Sequence, residues 1–125
     1  MPGVYGGNMN LYLAIPYSSP SGLIRLQRFH AANDKAAELM RGGHIVYSPI
    51  SMSHAIDLGT DFEAWEAQDK AFIDWCDAVY VNMISGWDTS IGVTEEIRYA
   101  KSLGKQIIYS EDEITTQSIT LTKEA

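Results

Sequence analysis

Four short apolar runs, separated by longer stretches whose apolar residues recur at helical spacing, constrain this chain more than any other feature. The runs are Leu11-Tyr-Leu-Ala-Ile15, His44-Ile-Val-Tyr47, Ala78-Val-Tyr-Val-Asn82 and Gln106-Ile-Ile-Tyr109. Each is short and bounded by Pro, Gly, Asn or Asp, as buried strands are. Between the first two, Leu26, Phe29, Ala32, Ala36 and Leu39 step by three and four, which predicts a helix over residues 23–41 stopped by Gly42-Gly43. Before the third run, Phe62, Trp65, Phe72 and Cys76 mark one face of a second helix. Before the fourth, Val93, Ile97, Ala100 and Leu103 predict a third, with Gly104 as its cap. Strands alternating with helices imply right-handed crossovers and a parallel sheet of four to five strands with helices on both faces. Ligands of such sheets bind beyond the carboxyl ends of the strands. Three loops arrive there, over residues 16–22, 48–57 and 82–92, and residues 51–60 read as a loop carrying His54.

At 125 residues the chain forms one domain, 1–125, with residues 1–10 and 112–125 expected to be flexible or to contact another subunit. A formal charge of -7 argues against a nucleic-acid polymer as partner, because phosphate backbones are bound chiefly by Lys and Arg. A mononucleotide is still admissible, since backbone amides and hydroxyls can hold it. One cysteine, Cys76, allows no internal disulfide, and it falls on an inward helix stripe. No apolar run approaches the roughly 20 residues that span a bilayer, and the start lacks the pattern of a signal peptide. The expectation is a cytoplasmic protein without a membrane partner.

Asp69 breaks its helix's apolar stripe. Positions 62, 65, 69, 72 and 76 are spaced 3, 4, 3 and 4, so the acid sits between Trp65 and Phe72 on the inward face. It is either a buried Asp bonded to backbone or a carboxyl at a cleft wall, with its pKa raised and a proton to move. Glu96 lies one residue off the line of Val93, Ile97 and Ala100, at the edge of the inward face, while Glu95 points more toward solvent. Either the two glutamates answer the helix dipole, or Glu96 faces chemistry. Two inward carboxylates are the usual equipment for cleaving a bond at an anomeric carbon, where one attacks and the other moves a proton.

Around them stand residues suited to a small ligand. Ser90-Ile-Gly92 opens a helix with a hydroxyl, exposed amides and no side chain at Gly92, which suits an anion or serves as an ordinary N-cap. Asp88 bonds a sugar hydroxyl or shapes its turn. His54 contacts a phosphate or base edge, or is structural. Tyr17 follows the first strand at the cleft mouth and can stack on a base, as can Trp87. His30 and His44 have no metal-ligand spacing with His54, so no metal is expected. Neither a dinucleotide fingerprint, a P-loop nor a serine-nucleophile elbow occurs.

Ser90-Ile-Gly-Val-Thr-Glu-Glu-Ile-Arg-Tyr-Ala100, with Asp69 upstream and Asp77 before the third strand, resembles the nucleoside 2-deoxyribosyltransferase superfamily. Within it, the chain is most similar to the 2-deoxynucleoside 5'-phosphate N-hydrolases, in a less characterised phage and bacterial branch. The resemblance covers residues 11–110. It implies a Rossmann-like or flavodoxin-like three-layer α/β sandwich and cleavage or transfer of the N-glycosidic bond of a nucleoside or its 5'-monophosphate. By it Glu96 is the nucleophile and Asp69 the second catalytic acid. Ser90 falls at a phosphate-binding serine, and Pro16, Tyr17 and Ser18 fall in the ligand-contacting turn. That turn, Ile15-Pro16-Tyr17-Ser18, replaces the family's usual Gly-containing one. No cofactor is implied, and a homodimer or larger homo-oligomer is. The alternative is a protein of the same fold that binds or sequesters a nucleotide without turning it over.

Overall fold

The computed structural model describes residues 8–56 and 62–110. In chain order the elements are β1 (Asn10–Ala14), α1 (Gly22–Arg41), β2 (Ile45–Tyr47), α2 (Pro49–Ser53), α3 (Phe62–Trp75), β3 (Ala78–Val81), α4 (Ile91–Ser102) and β4 (Gln106–Tyr109), with a short 3-10 turn at Trp87–Thr89. The sheet is four-stranded and wholly parallel, in the order β2-β1-β3-β4. It is an α/β three-layer, Rossmann-like sandwich.

Strand alternation divides the core. Leu11 and Leu13 of β1 point to one face, where Ala36 and Leu39 of α1 cover them together with Tyr80 and Ile108. Tyr12 and Ala14 point to the other, under Ile73 of α3 and Val93 and Ala100 of α4. β1 and β3 are buried on both sides, which is why their sequences read as unbroken apolar runs rather than alternating ones. The chain leaves β1 toward β2 through α1, then returns past β1 to β3 through α3 on the opposite face. The direction of winding therefore switches between β1 and β3. At such a point the loops at the carboxyl ends diverge and open a crevice.

Ser21 caps α1 by accepting the Ile24 amide at 3.3 Å, and Ser90 caps α4 by accepting that of Val93 at 3.2 Å. Gly104, at φ +73°, follows the end of α4 as expected. Two expectations need correction. Residues 51–60 are not simply a loop: Pro49 opens α2, whose C-cap is His54, while 57–60 lie outside the described residues. Leu103 is not inward but 44% exposed, because α4 ends at Ser102 and the chain turns outward. Of the termini expected to be flexible or to contact another subunit, 1–10 and 112–125, Asn10 instead opens β1, while 1–7 and 112–125 lie outside the described residues.

Two arginines of α1 tie the crevice loops to the scaffold. Arg28 donates from Nη1 to the Ser18 carbonyl at 2.9 Å and from Nη2 to the Ser85 carbonyl at 3.3 Å, bridging the loops after β1 and β3. Arg25 donates to the Ser19 carbonyl. Gly86 accommodates this bridge: its φ is +91°, and a Cβ there would stand 2.6 Å from Arg28 Nη2. Gly86→Ala is therefore expected to lower stability by about 1–2 kcal/mol in chemical denaturation, from left-handed strain plus displacement of the guanidinium.

Candidate functional site

Both α3 and α4 run back along the sheet with their N-termini at the carboxyl ends of the strands, and they pack against each other. A cavity of about 480 Å³ lies in the groove between them, from Trp65 to Ile73 on α3 and from Ile91 to Tyr99 on α4. Asp69 and Glu96 both line it, one from each helix. Ser18 from the β1 loop and Gly92 from the first turn of α4 line it too.

Beneath the two acids stands Tyr12, at the centre of β1 and fully buried. Its hydroxyl donates to Glu96 Oε2 in a short hydrogen bond, and it stands near enough to Asp69 to pull that group's pKa down as well. One phenol has one proton, so it can donate to only one carboxyl at a time. Asp69 Oδ1 is buried and makes no hydrogen bond. Tyr47, paired with Tyr12 across β1 and β2, tilts against it at 5.7 Å and stacks on Phe72 at 3.7 Å. These rings fix the phenol and keep water from the lower side of the site.

The electrostatics follow from burial. Desolvation pushes Glu96 from 4.5 up to about 8; the Tyr12 bond opposes this, and the Asp69 charge adds to it. Desolvation likewise pushes Asp69 from 3.8 up to about 6, again opposed by Tyr12. Tyr12 is raised far out of its ordinary range, by burial first and then by the charges of Glu96 and Asp69, so it stays a neutral donor. Glu95 behaves in the opposite way. It is exposed and hydrogen-bonded to Arg98 Nε at 3.1 Å, which lowers its pKa. The contrast between adjacent glutamates is the contrast between the two sides of α4. At the rim Lys70 lies 3.7 Å from Glu66, so both rim cations, Lys70 and Arg98, have an acidic neighbour.

The other expected residues are distributed as follows. Pro16 is fully buried and does not line the cavity. Tyr17 and His54 engage each other instead of the cavity: Tyr17 Oη lies 2.7 Å from His54 Nδ1, and the imidazole stacks on Phe29 at 4.1 Å. Asp88 is exposed in the 3-10 turn. Ser90 uses an oxygen lone pair to cap α4 and keeps its hydroxyl proton. Asp77 sits at the other end of the sheet, accepting the Asn10 amide at 2.8 Å. Sequence reasoning passed over Tyr12, Trp65, Lys70, Ile91 and Tyr99 as site residues. Only Tyr12 carried a usable signal: a phenol inside an otherwise apolar strand needs a polar partner.

Fold and site together define a parallel, doubly wound α/β protein with a paired-carboxyl cavity between α3 and α4. Residues 9–112 match the family described as Domain of unknown function (DUF1937), and the chain belongs to that family. No curated protein matches it. Among the described residues no helix is long and apolar enough to cross a membrane, and no group of three His, Cys, Asp or Glu side chains could hold a metal ion.

A buried acid with a raised pKa holds its proton more tightly folded than unfolded. Stability is therefore greatest below the unfolded value and is lost as pH rises through the folded one, between 4.5 and about 8 for Glu96. Glu96→Gln, which removes this titration, should gain stability over the parent across that window. The expected gain is on the order of 2–4 kcal/mol by pH 8, with almost none at pH 4. Thermal melts of both proteins at several pH values measure the gap. A gap that does not grow with pH would show that Glu96 is solvated.

Proposed function

We propose that this protein cleaves or transfers the N-glycosidic bond of a nucleoside or nucleoside 5'-monophosphate. The observation that carries the reading is the junction of Asp69, Glu96 and Tyr12 at the floor of one cavity. Two carboxyls that line one cavity and act on one phenol are the equipment of glycosidases, in the retaining class of which one carboxylate attacks the anomeric carbon directly. Between about pH 6 and 8 the pair holds one proton and one negative charge; burial puts that proton on Glu96 at rest, so attack requires it to pass to Asp69, leaving Glu96 as the carboxylate that Tyr12 bonds.

In the reaction, a Glu96 carboxylate oxygen attacks C1' while the bond from C1' to the base nitrogen breaks. The departing base takes its proton from Asp69, directly or through a water. Water then attacks C1' of the glycosyl ester, gives a proton back to Asp69, and releases Glu96 as carboxylate. A second base in place of water gives transfer. Tyr12 bonds the Glu96 oxygen and steadies the carboxylate before attack and after release. The hydroxyl of Ser90 and the amides at the start of α4 lie where a 5'-phosphate finds donors and the positive end of a helix dipole. The similarity of residues 90–100 to the nucleoside 2-deoxyribosyltransferases supports the same reading and carries with it a homodimer or larger homo-oligomer.

The test is release of free base from a panel of nucleosides and their 5'-monophosphates, followed by chromatography. Glu96→Gln should lower kcat at least about 10³-fold and Asp69→Asn about 10²-fold, with substrate still bound. Tight binding with no base released by the parent would identify a non-catalytic nucleotide binder instead. The rate should follow a bell in pH. Below about 6 both acids are protonated and no nucleophile exists; above about 8 both are ionised and no acid does. Tyr12→Phe removes the hydrogen bond that lowers both groups, so both limbs of the bell should move to higher pH and kcat should fall. A bell left in place by Tyr12→Phe would mean that the phenol does not act on the pair.

A further inference from the structure

Two buried side-chain polar atoms among the described residues make no hydrogen bond: Tyr47 Oη and Asp69 Oδ1. The first is a donor, and the second is an acceptor whenever Asp69 is ionised. Leaving either unsatisfied inside the protein is costly.

The fold sets these two residues against each other. Tyr47 is the last residue of β2 and pairs in register with Tyr12, so both phenols project from one face of the sheet. That face is the one covered by α3 and α4. The Tyr47 ring lies flat on Phe72, with centroids 3.7 Å apart and planes inclined by 5°, and tilts against Tyr12 at 5.7 Å. Phe72 follows Asp69 by three residues on α3, and residues three apart share a helix face. The phenol is therefore packed against the stretch of α3 that carries Asp69. Its ring is held by two others and only 7% of the residue is exposed, so its hydroxyl does not reach bulk water. Burial, and after it the charge of Asp69 ahead of that of Glu96, pushes the Tyr47 phenol up; the Gln68 side chain opposes this without completing a hydrogen bond. Tyr47 thus keeps its proton and stays a donor. It does not line the cavity that the acids share.

We propose that Tyr47 is a positioning residue for Asp69: its hydroxyl donates to Oδ1 of the ionised carboxyl, directly or through one water held between them. Each acid then has its own phenol, Tyr12 on Glu96 and Tyr47 on Asp69. At rest the negative charge of the pair is on Asp69, so this donor governs how readily Asp69 gives up or recovers a proton. Tyr47 touches the acid and not its substrate, so only the effect on turnover rests on the glycosidic reading. The other titratable groups facing Asp69 are Tyr12 from β1 and Glu96 from α4, with Glu66 and Lys70 of α3 and Glu95, Arg98 and Tyr99 of α4 around the cavity.

A hydrogen bond to the ionised form holds the folded pKa of Asp69 below its value without the donor. Its stabilising effect is therefore absent at low pH and appears as pH rises through about 6. Tyr47→Phe in the full chain should melt no lower than the parent near pH 4, where only an unpaired hydroxyl is lost, and about 3–5 °C lower near pH 7.5. In an Asp69→Asn background the same substitution should show no such change with pH, which isolates the pair. If Tyr47→Phe does not fold, NMR of the parent with isotope-labelled tyrosine gives a second reading. The Tyr47 Cζ resonance should then titrate with the midpoint of Asp69 and cease to do so in Asp69→Asn. A melting gap equal at every pH, a gap that persists in Asp69→Asn, or a Tyr47 resonance blind to Asp69 overturns the proposal. On the glycosidic reading Tyr47→Phe should move the acidic limb of the rate profile to higher pH and leave the alkaline limb in place, whereas Tyr12→Phe moves both. Base release without the Asp69-dependent gap would sink the role of Tyr47 and leave the reaction standing. The gap with no nucleoside or nucleotide turned over would do the reverse.

Discussion

A phenol buried in the middle of a parallel strand cannot be left without a hydrogen-bond partner, and the whole site can be traced from that constraint. Tyr12 occupies the central strand, between two neighbours, where no water reaches it. An unpaired hydroxyl there would cost a few kcal/mol. Its partner is a carboxyl that is itself half-buried, and a second carboxyl stands within reach. Each acid would be costly alone. Together with the phenol they can pass one proton among three oxygens, so the cluster holds fewer charges than its composition suggests. The cost that remains is visible in the upward shift of both acids. A fold carrying only structural duties would gain stability by replacing them with apolar residues of similar volume.

Topology explains why these three groups meet. β1 is central because the chain winds outward from it in both directions, first to β2 and later to β3. α3 and α4 lie on the same face of the sheet, and their first turns overhang the ends of the strands. An acid in the second turn of α4 and one in the middle of α3 consequently look down on the face to which Tyr12 points. Ser18 brings the loop after β1 to the cavity, and Arg28 holds that loop and the one after β3 through backbone carbonyls, independently of the loops' own side chains.

The helices and strands were legible because burial on one face leaves a period of three to four, and burial on both faces leaves an unbroken run. Asp69 was legible for the same reason, as the one charged residue on an apolar stripe. Choosing Glu96 over Glu95 needed only the helical angle, and the structure separates the pair accordingly: Glu95 faces Arg98 in solvent and Glu96 faces the phenol. Tyr12 escaped notice because a tyrosine in a strand is ordinary; only the third dimension shows what its hydroxyl touches. His54 was placed by loop position and Tyr17 by position and resemblance, and neither reveals that two loop residues bond each other. The helical turn at 49–53 was hidden because Pro at a first helical position and Pro as a breaker look alike in sequence.

On the proposed reading, the charge distribution separates the two substrate forms. The cavity is lined by Glu66, Asp69, Glu95 and Glu96 against Lys70 and Arg98, and neither cation is free of an acidic neighbour. A phosphate dianion brought into the acid layer would meet repulsion from the charge that Asp69 and Glu96 share. It would also raise both acids further and remove the nucleophile it needs. A 5'-phosphate is therefore compatible with the chemistry only if it stays at the start of α4, where Ser90 and the first-turn amides are, with the sugar spanning the interval to Glu96. A neutral nucleoside faces no such restriction. The local field thus makes the site tolerant of an uncharged sugar and exacting about where a phosphate may lie, and Ser90, rather than either rim cation, becomes the residue on which nucleotide preference would turn.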